Sequence, residues 1–256
     1  MSSSNNNITD CDASQRTART ALLLGHEGVA ALNRSRVIIF GVGGVGSWCA
    51  EALARAGVGT LTIVDSDTVA ASNINRQLVA DCNTIGRLKV DVMAHRIHAV
   101  NPDCRIHAIA GVYNADTADS FRLDDYDVVV DAIDSLQSKA HLIITATRCR
   151  HARLVSSMGA ALKTDITQIA RAEFYQVKGC PLARALRDLF KRRGIRPARK
   201  FGCVYSPQLV PNRTDTQPDS TPNGMKRVNG TLVTTTATFG LVLAQMAIQQ
   251  ITGARL

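Results

Sequence analysis

Four glycines and one aspartate in the N-terminal third have the types and spacing of a nucleotide site. The run Gly41-Val-Gly43-Gly44-Val-Gly46 follows a short apolar segment and precedes a segment rich in alanine and leucine. In a loop of this spacing the first glycine makes the turn, the second lets the backbone approach a phosphate, and the third allows close helix packing. Asp65 ends the next apolar segment, where a carboxylate can accept hydrogen bonds from both ribose hydroxyls. We therefore predict that this region binds a nucleotide.

Charged residues further along the chain favour ATP over NAD as that nucleotide. Adenylation by ATP requires cations beside the phosphates and a carboxylate for Mg²⁺, because negative charge builds up at the α-phosphorus as pyrophosphate leaves. Arg76 and Lys89 are suited to supply the cations and Asp134 the metal ligand, whereas a hydride-transfer enzyme needs none of the three. Taken singly, Arg76 and Lys89 are also compatible with surface charge, and Asp134 with a strand-end cap. Together they predict an ATP site in which these three residues are catalytic.

The pattern of apolar segments indicates the elements that position these residues. Short β-branched segments predict strands, and longer segments with one apolar face predict helices. The predicted strands are Arg36–Phe40, Thr60–Val64, Cys104–Ile109, Asp127–Asp131 and Arg153–Ser157, and the predicted helices are Ser47–Ala56, Lys89–Val100 and Gln137–Arg150. Because strands and helices alternate, we predict an α/β fold with a Rossmann-like, doubly wound, mostly parallel sheet.

Beyond residue 160 the alternation ends, which predicts an antiparallel and helical elaboration of the same domain. Thr167–Phe174 and Gly202–Val210 are predicted strands that flank a strongly basic helix. Residues 211–227 are predicted to form a mobile loop, and residues 231–252 a buried C-terminal helix. The predicted organisation is a flexible N-terminal segment (1–20), an ATP-binding core (21–160) and the C-terminal elaboration (161–256).

Composition narrows the classes of function. Only 4% of the 256 residues are aromatic, which leaves few rings for a base-stacking RNA surface. Seven cysteines without a C-x-x-C pair argue against a disulfide framework and a four-cysteine zinc site, and favour reduced thiols in the cytoplasm. The net charge of +9 favours a polyanionic partner. Polar residues interrupt the stretch 231–252, so we expect no stable membrane insertion.

A longer motif resembles one enzyme family. The pattern D-x-D-x-V-x-x-S-N-x-N-R-Q runs from Asp65 to Gln77, and it is followed by G-x-x-K ending at Lys89 and D-A-I-D ending at Asp134. These residues resemble the ubiquitin-activating-enzyme-like adenylyltransferases, and the resemblance covers roughly residue 16 to the C-terminus. It implies ATP and Mg²⁺ as cofactors.

The resemblance also implies roles for individual residues. Asp65 holds the ribose, Asp134 binds Mg²⁺, and the triphosphate is lined by Asn73, Arg76, Gln77 and Lys89. The full set of predicted nucleotide-binding residues is Gly41, Gly43, Gly44, Gly46, Asp65, Asp67, Asn73, Arg76, Gln77, Lys89 and Asp131.

Within this family the chain most resembles the branch that acts on a modified adenosine in tRNA. The residues that carry this likeness include G-V-G-S-W ending at Trp48, N-P-x-C ending at Cys104, D-x-T-Q-I ending at Ile169, and C-V-Y-S from Cys203 to Ser206. The resemblance implies ATP-dependent cyclisation of a threonylcarbamoyl side chain. Its carboxylate is adenylated with loss of pyrophosphate, and the carbamoyl group then displaces AMP, which is a net dehydration.

The same resemblance implies partners. It implies threonylcarbamoyladenosine-containing tRNA as substrate, a homodimer, and an association with a cysteine desulfurase and sulfur-acceptor system. Arg16 or Arg19 is the candidate that reaches the ATP of the other subunit. The segment 184–200 has eight Lys or Arg against Asp188 alone, which suits tRNA phosphates. The alternative for this segment is a solvated amphipathic face.

Cys203 is a fourth catalytic candidate, because members of the family place a reactive cysteine in this region. It would form a thioester or accept a persulfide, whereas the alternative is a small buried hydrophobic residue.

Three other functions stay open. One is activation of the C-terminal Gly-Gly of a ubiquitin-like sulfur carrier, which the missing zinc cysteines argue against. The second is an NAD-dependent oxidoreductase, which would not need Arg76, Lys89 or Asp134. The third is a nucleotide-binding scaffold, which would bind ATP without releasing pyrophosphate.

Overall fold

The computed structural model of the chain describes residues 12–214, 219–221, 224–226 and 228–254. Its helices are α1 (Ala13–Arg34), α2 (Gly46–Ala56), α3 (Lys89–Val100), α4 (Leu136–Arg148), α5 (Pro181–Arg193) and α6 (Val233–Thr252). Its strands are β1 (Arg36–Phe40), β2 (Thr60–Val64), β3 (Arg105–Ile109), β4 (Val128–Asp131), β5 (Arg153–Ser157), β6 (Ala170–Glu173), β7 (Gly202–Tyr205), β8 (Asp219–Thr221) and β9 (Gly224–Lys226).

Seven strands form one sheet in the order β3-β2-β1-β4-β5-β7-β6. All neighbouring pairs are parallel except β6 and β7, which are antiparallel. The chain runs outward from β1 to β2 and β3, and then continues on the other side of β1 with β4 and β5. The predicted doubly wound, mostly parallel sheet is therefore confirmed. Its topological switch point lies between β1 and β4, where the loops that follow the two strands separate and leave a crevice.

Strand β1 shows why helices must cover both faces of this sheet. Val37 and Ile39 belong to one apolar core, which they share with α1, α2, α3 and α6. Ile38 and Phe40 belong to a second core, which they share with α4 and α5. Because successive side chains of a strand point to opposite faces, a continuously apolar strand needs a core on each side. Each fully buried side chain of this size contributes about 1.5–3 kcal/mol.

The predicted elements before residue 160 are all present, and their ends differ from the prediction by at most two residues. The two later strands are shorter than predicted. β7 ends at Tyr205 instead of Val210, and β6 covers only the four residues that pair with β7. Pro207 follows shortly after β7 and has no N–H to donate to a neighbouring strand, which accounts for the early end.

The N-terminal boundary also differs from the prediction. Helix α1 begins at Ala13, so residues 13–20 are helical instead of flexible, while residues 1–11 lie outside the described residues. The carboxylate of Asp12 accepts a hydrogen bond from the backbone N–H of Ser14 at 3.1 Å, which satisfies one free donor of the first turn. The helix is broken at Gly25, where φ is 72°.

The C-terminal elaboration continues the same sheet, because β7 pairs with β5. Within the predicted loop 211–227, β8 and β9 form an antiparallel pair, and residues 215–218, 222–223 and 227 lie outside the described residues. Helix α6 buries Phe239 and Leu243 in the first core, as predicted. None of the helices in the described residues is long and apolar enough to cross a membrane.

Candidate functional site

A cavity of about 900 Å³ lies at the carboxyl ends of the central strands. Its walls include residues 41 and 43–45 after β1, Asp65 and Asp67 after β2, and residues 132–135 after β4. This is the switch-point crevice where open α/β sheets bind ligands. The volume is near the upper limit of ordinary ligand pockets, so a nucleotide and part of a second reactant can fit together.

The glycine loop is shaped by two positions that exclude any side chain. A Cβ added to Gly41, where φ is +91°, would lie 2.7 Å from the carbonyl oxygen of Ala132, and one added to Gly46 would lie 1.8 Å from that of Gly41. Gly43 differs, since a Cβ there would meet only the amide nitrogen of Gln77, at 3.9 Å. The loop therefore leaves space beside Gly43 at the start of α2, where helix N–H groups can bind a phosphate.

Asp65 fastens this loop to the end of β2. Its Oδ2 accepts a hydrogen bond from the N–H of Val42 at 2.7 Å, and its Oδ1 accepts one from the N–H of Asp67 at 2.9 Å. A carboxylate oxygen can accept more than one hydrogen bond, so the predicted ribose contact is compatible with this anchoring. The sequence marked Asp65 by its position after β2 and by the motif that begins there, but it gave no sign of this anchoring.

Two side chains of α2 hold the next segment of the site. The hydroxyl of Ser47 donates to the carbonyl oxygen of Gly43 at 2.6 Å and accepts from the N–H of Leu78 at 3.2 Å. The indole N–H of Trp48 donates to the carbonyl oxygen of Arg76 at 3.1 Å. The glycine loop and the N-R-Q segment are thus fixed relative to each other by side chains that sequence reasoning used only for the family likeness.

Arg76 and Gln77 line the cavity from this segment. One guanidinium nitrogen of Arg76 donates to the carbonyl oxygen of Ser72 and to the amide oxygen of Asn75, both at 2.9 Å. Burial lowers the pKa of Arg76, and within the described residues this arginine forms no ion pair. Gln77 is 7% exposed, and its Oε1 has no hydrogen-bond partner in the described part of the chain. A buried polar atom in this state indicates a position for a ligand or water.

Asn73 and Lys89 also line the cavity. The amide oxygen of Asn73 accepts from the N–H of Ala70 at 3.2 Å. The buried ammonium of Lys89 is 2.8 Å from Oδ2 of Asp67, which is largely exposed. Asp67 therefore compensates the charge of Lys89, and a phosphate group brought to the cavity would compete for the same ammonium.

Asp131 does not line the cavity, in contrast to the prediction. Both Asp131 and Lys139 are 0% exposed, and their carboxylate and ammonium are 2.6 Å apart. The hydroxyl of Ser156 donates to the same carboxylate at 2.6 Å, and the N–H of Ile133 donates to it at 3.1 Å. Asp131 thus holds the loop that carries Asp134. No local pattern in the sequence links Asp131 to Lys139 or Ser156.

Asp134 is an exposed residue on the cavity wall. Among the described residues there is no cluster of three or more His, Cys, Asp or Glu side chains that would hold a metal ion by itself. Mg²⁺ is commonly bound by one or two carboxylates together with substrate phosphates. One carboxylate at the edge of a nucleotide cavity fits that donor set.

Cys203 lies in the core and not at the cavity. It is 0% exposed in strand β7, and burial raises its pKa well above the usual value of a thiol. A thiolate is the nucleophilic form of cysteine, so this position corresponds to the buried hydrophobic alternative. Cys180, at the start of α5, lines the cavity instead.

The basic segment 184–200 is partly used by the fold itself. The guanidinium of Arg199 donates to the carbonyl oxygens of Thr147 and Ala152 at 3.0 and 2.8 Å. Arg187 donates to the carbonyl oxygen of Val177 at 3.0 Å. The basic residues of this segment with exposed positions are Arg184, Lys191, Arg192, Arg193, Arg196 and Lys200.

The two arginine candidates of the N-terminal segment differ in their surroundings. Arg16 forms an ion pair with Asp103 of the same chain, which fixes the start of α1 against the loop before β3. Arg19 is exposed on α1. Of the two arginines, Arg19 is therefore the one on the exposed surface of α1.

Comparisons of the sequence with known proteins agree with a nucleotide site at this cavity. The model of the ThiF family matches residues 15–256. A tRNA threonylcarbamoyladenosine dehydratase of Haemophilus influenzae is 35% identical over 244 residues, with 93% of each chain covered. The protein of the same name from Bacillus subtilis is 42% identical over 179 residues, 70% of each chain.

Solved structures give the same result at the level of the fold. The crystal structure of the Escherichia coli tRNA N6-threonylcarbamoyladenosine dehydratase in complex with ATP has a TM-score of 0.82 and 33% identity. The match covers 94% of this chain and 95% of that one. Because the ThiF family model matches residues 15–256, and the glycine loop and cations of the cavity agree with that match, the chain belongs to the ThiF family.

Proposed function

We propose that this protein is an ATP-dependent dehydratase that cyclises N6-threonylcarbamoyladenosine in tRNA. The observation that carries the proposal is the match in sequence and fold, over more than nine-tenths of both chains, to an ATP-bound dehydratase of that name. The cavity supports it, because a phosphate-binding loop, two cations and a carboxylate lie on the walls of one cavity.

The reaction proceeds by activation of a poor electrophile. An oxygen of the threonyl carboxylate attacks the α-phosphorus of ATP, and pyrophosphate leaves. The carbamoyl oxygen then attacks the acyl carbon, its N–H loses a proton, and AMP leaves with one of the carboxylate oxygens. The ring closes, and the nucleoside has lost one water in total.

The residues of the cavity are suited to the first step, in which charge develops on the phosphates. The start of α2 and the space beside Gly43 receive phosphate, Asp65 orients the ribose, and Arg76 and Lys89 stabilise the departing pyrophosphate. Both cations are partly or fully withdrawn from water, where their effect on nearby charge is stronger than in bulk solvent. Asp134, together with phosphate oxygens, would hold Mg²⁺, which neutralises charge on the phosphates when bound.

We further propose that the protein acts in the cytoplasm as a homodimer in which Arg19 reaches the ATP of the other subunit. The exposed basic residues of segment 184–200 are suited to tRNA phosphates. An association with a cysteine desulfurase and sulfur-acceptor system stays a prediction, and the buried thiol of Cys203 lends it no support.

Mass spectrometry of tRNA nucleosides tests the proposal. Threonylcarbamoyladenosine-containing tRNA is incubated with the protein and Mg²⁺-ATP, and the modified nucleoside is expected to lose one water. Arg76→Met should abolish the change, whereas Arg105→Met, at an exposed position on the edge strand β3, should not. An unchanged nucleoside, with pyrophosphate released only after addition of a carrier protein ending in Gly-Gly, would assign the protein to sulfur-carrier activation instead.

A further inference from the structure

A buried lysine on the cavity wall has no part in the ATP site described above. Lys163 lies in the loop after β5, is 3% exposed and lines the same cavity as Asp65 and Asp134. In the sheet, β5 is separated from β1 by β4. Lys163 therefore reaches the cavity from the loop after β5, where its backbone contacts the first turn of α6 beside Thr236, a residue that lies against Gly44.

No acidic side chain in the described ranges compensates the charge of Lys163, in contrast to that of the two other buried lysines. Lys89 pairs with Asp67, and Lys139 pairs with Asp131. The ammonium of Lys163 donates to the carbonyl oxygen of Gln208, and it forms no ion pair within the described residues. Burial lowers the pKa of Lys163, as expected for a cation that has lost water without gaining an anion.

A cation in this state is costly for the folded protein unless an anion joins it. Because no carboxylate of the described residues pairs with Lys163, and Lys163 lines a ligand cavity, the missing anion is best supplied by a ligand. The surroundings of Lys163 also favour an anionic ligand. Cys180 and Pro181, at the N-terminal end of α5, line the same cavity. The positive end of that helix adds to the attraction for an anion.

The backbone at Lys163 is held rigidly. The preceding residue, Leu162, has φ of 60°, a value that branched side chains rarely adopt and that is enriched at functional sites. Its N–H donates to the carbonyl oxygen of Gly230, and its carbonyl oxygen accepts from the N–H of Val210, both at 2.9 Å. The hydroxyl of Thr235 donates to the carbonyl oxygen of Lys163 at 3.2 Å. The lysine is thus fixed from three segments of the chain.

We propose that Lys163 binds the carboxylate of the threonylcarbamoyl group and so makes the enzyme selective for the modified adenosine. The inference rests on the proposed function, which supplies an anionic acceptor that must lie beside the α-phosphate of ATP. An ion pair at Lys163 fixes the carboxylate in the cavity before adenylation. An unmodified tRNA brings no anion to this position and leaves the buried ammonium uncompensated.

Binding of two tRNAs tests this directly, without turnover. The affinity of the protein, loaded with a non-hydrolysable ATP analogue, is measured for the same tRNA with and without the threonylcarbamoyl group. A hydrogen bond to a charged group is worth enough for a preference of about ten- to hundredfold for the modified tRNA. Lys163→Met should remove this preference, Lys163→Arg should keep most of it, and Lys178→Met, at an exposed lysine before α5, should leave it unchanged.

The outcomes separate the possible sources of the anion. If Lys163→Met keeps the preference, the proposal is overturned. It is also overturned if that variant loses affinity for the ATP analogue by as large a factor as for the modified tRNA, because the anion is then a phosphate. If the wild-type protein prefers the modified tRNA, Lys163→Met loses that preference and the nucleoside is never dehydrated, the proposed function is overturned while the role of Lys163 in binding stands. A wild-type protein without any preference for the modified tRNA also overturns the role of Lys163.

Discussion

Removal of the cation from the buried Asp131–Lys139 pair is expected to destabilise the protein strongly. Lys139→Met leaves the carboxylate of Asp131 at 0% exposure with only the Ser156 hydroxyl and the Ile133 N–H as donors. Loss of one partner from a buried ion pair costs about 3–5 kcal/mol. For a domain of this size each kcal/mol lowers the melting temperature by about 2–4 °C, so we expect a decrease of roughly 6–20 °C.

Urea unfolding followed by circular dichroism measures this cost. The double variant Asp131→Asn with Lys139→Met should recover most of the lost stability, because an amide can still accept from the Ile133 N–H and leaves no buried charge. Lys191→Met, at an exposed position on α5, should change the free energy of unfolding by less than about 0.5 kcal/mol. A loss of less than about 1 kcal/mol in Lys139→Met, the range of exposed ion pairs, would refute the reasoning.

Three further variants and one labelling experiment test the site. Gly43→Ala should keep the fold, since its Cβ meets only a side chain at 3.9 Å, but it should weaken ATP binding measured by calorimetry because the Cβ occupies the space proposed for a phosphate. Gly46→Ala should lower the melting temperature, because its Cβ would lie 1.8 Å from a carbonyl oxygen. Equal melting temperatures of the two variants would contradict this. In the native protein, iodoacetamide should label the exposed Cys82 and spare Cys203, because burial raises the pKa of the Cys203 thiol. Peptide mass spectrometry measures both rates, and similar rates of labelling would contradict the prediction. Asp65→Asn should raise the KM for ATP about tenfold, because an amide cannot accept from both backbone N–H groups; an unchanged KM would show that the anchoring is dispensable.

The sheet and the glycine loop were predictable because their signals are local. Buried parallel strands such as β1 and β4 are continuously apolar, and the loop after β1 needs glycine wherever its backbone contacts another backbone atom, as at Gly41 and Gly46. The same holds for Arg76 and Lys89, which occur within or just after one continuous motif. For these residues, spacing along the chain is also proximity in space.

The errors concern contacts between residues that are distant in sequence. Cys203 is buried because β7 inserts between β5 and β6, an order of strands that no segment of the sequence encodes by itself. Asp131 resembles a ligand at the end of a strand until Lys139 and Ser156 enclose it from a helix and a neighbouring strand. Lys163 was missed for the same reason, since only the folded chain shows that it lines the cavity without an ion pair to any described residue.

Isotope transfer from substrate to nucleotide tests the central claim most directly. The threonylcarbamoyl carboxylate is labelled in both oxygens with a heavy oxygen isotope, and the products of one turnover with Mg²⁺-ATP are analysed by mass spectrometry. Adenylation of the carboxylate predicts AMP that carries one heavy oxygen, together with unlabelled pyrophosphate and a cyclised nucleoside that retains the other label. Unlabelled AMP, or ADP with labelled phosphate, would show that the carboxylate is not adenylated and would contradict the proposed mechanism.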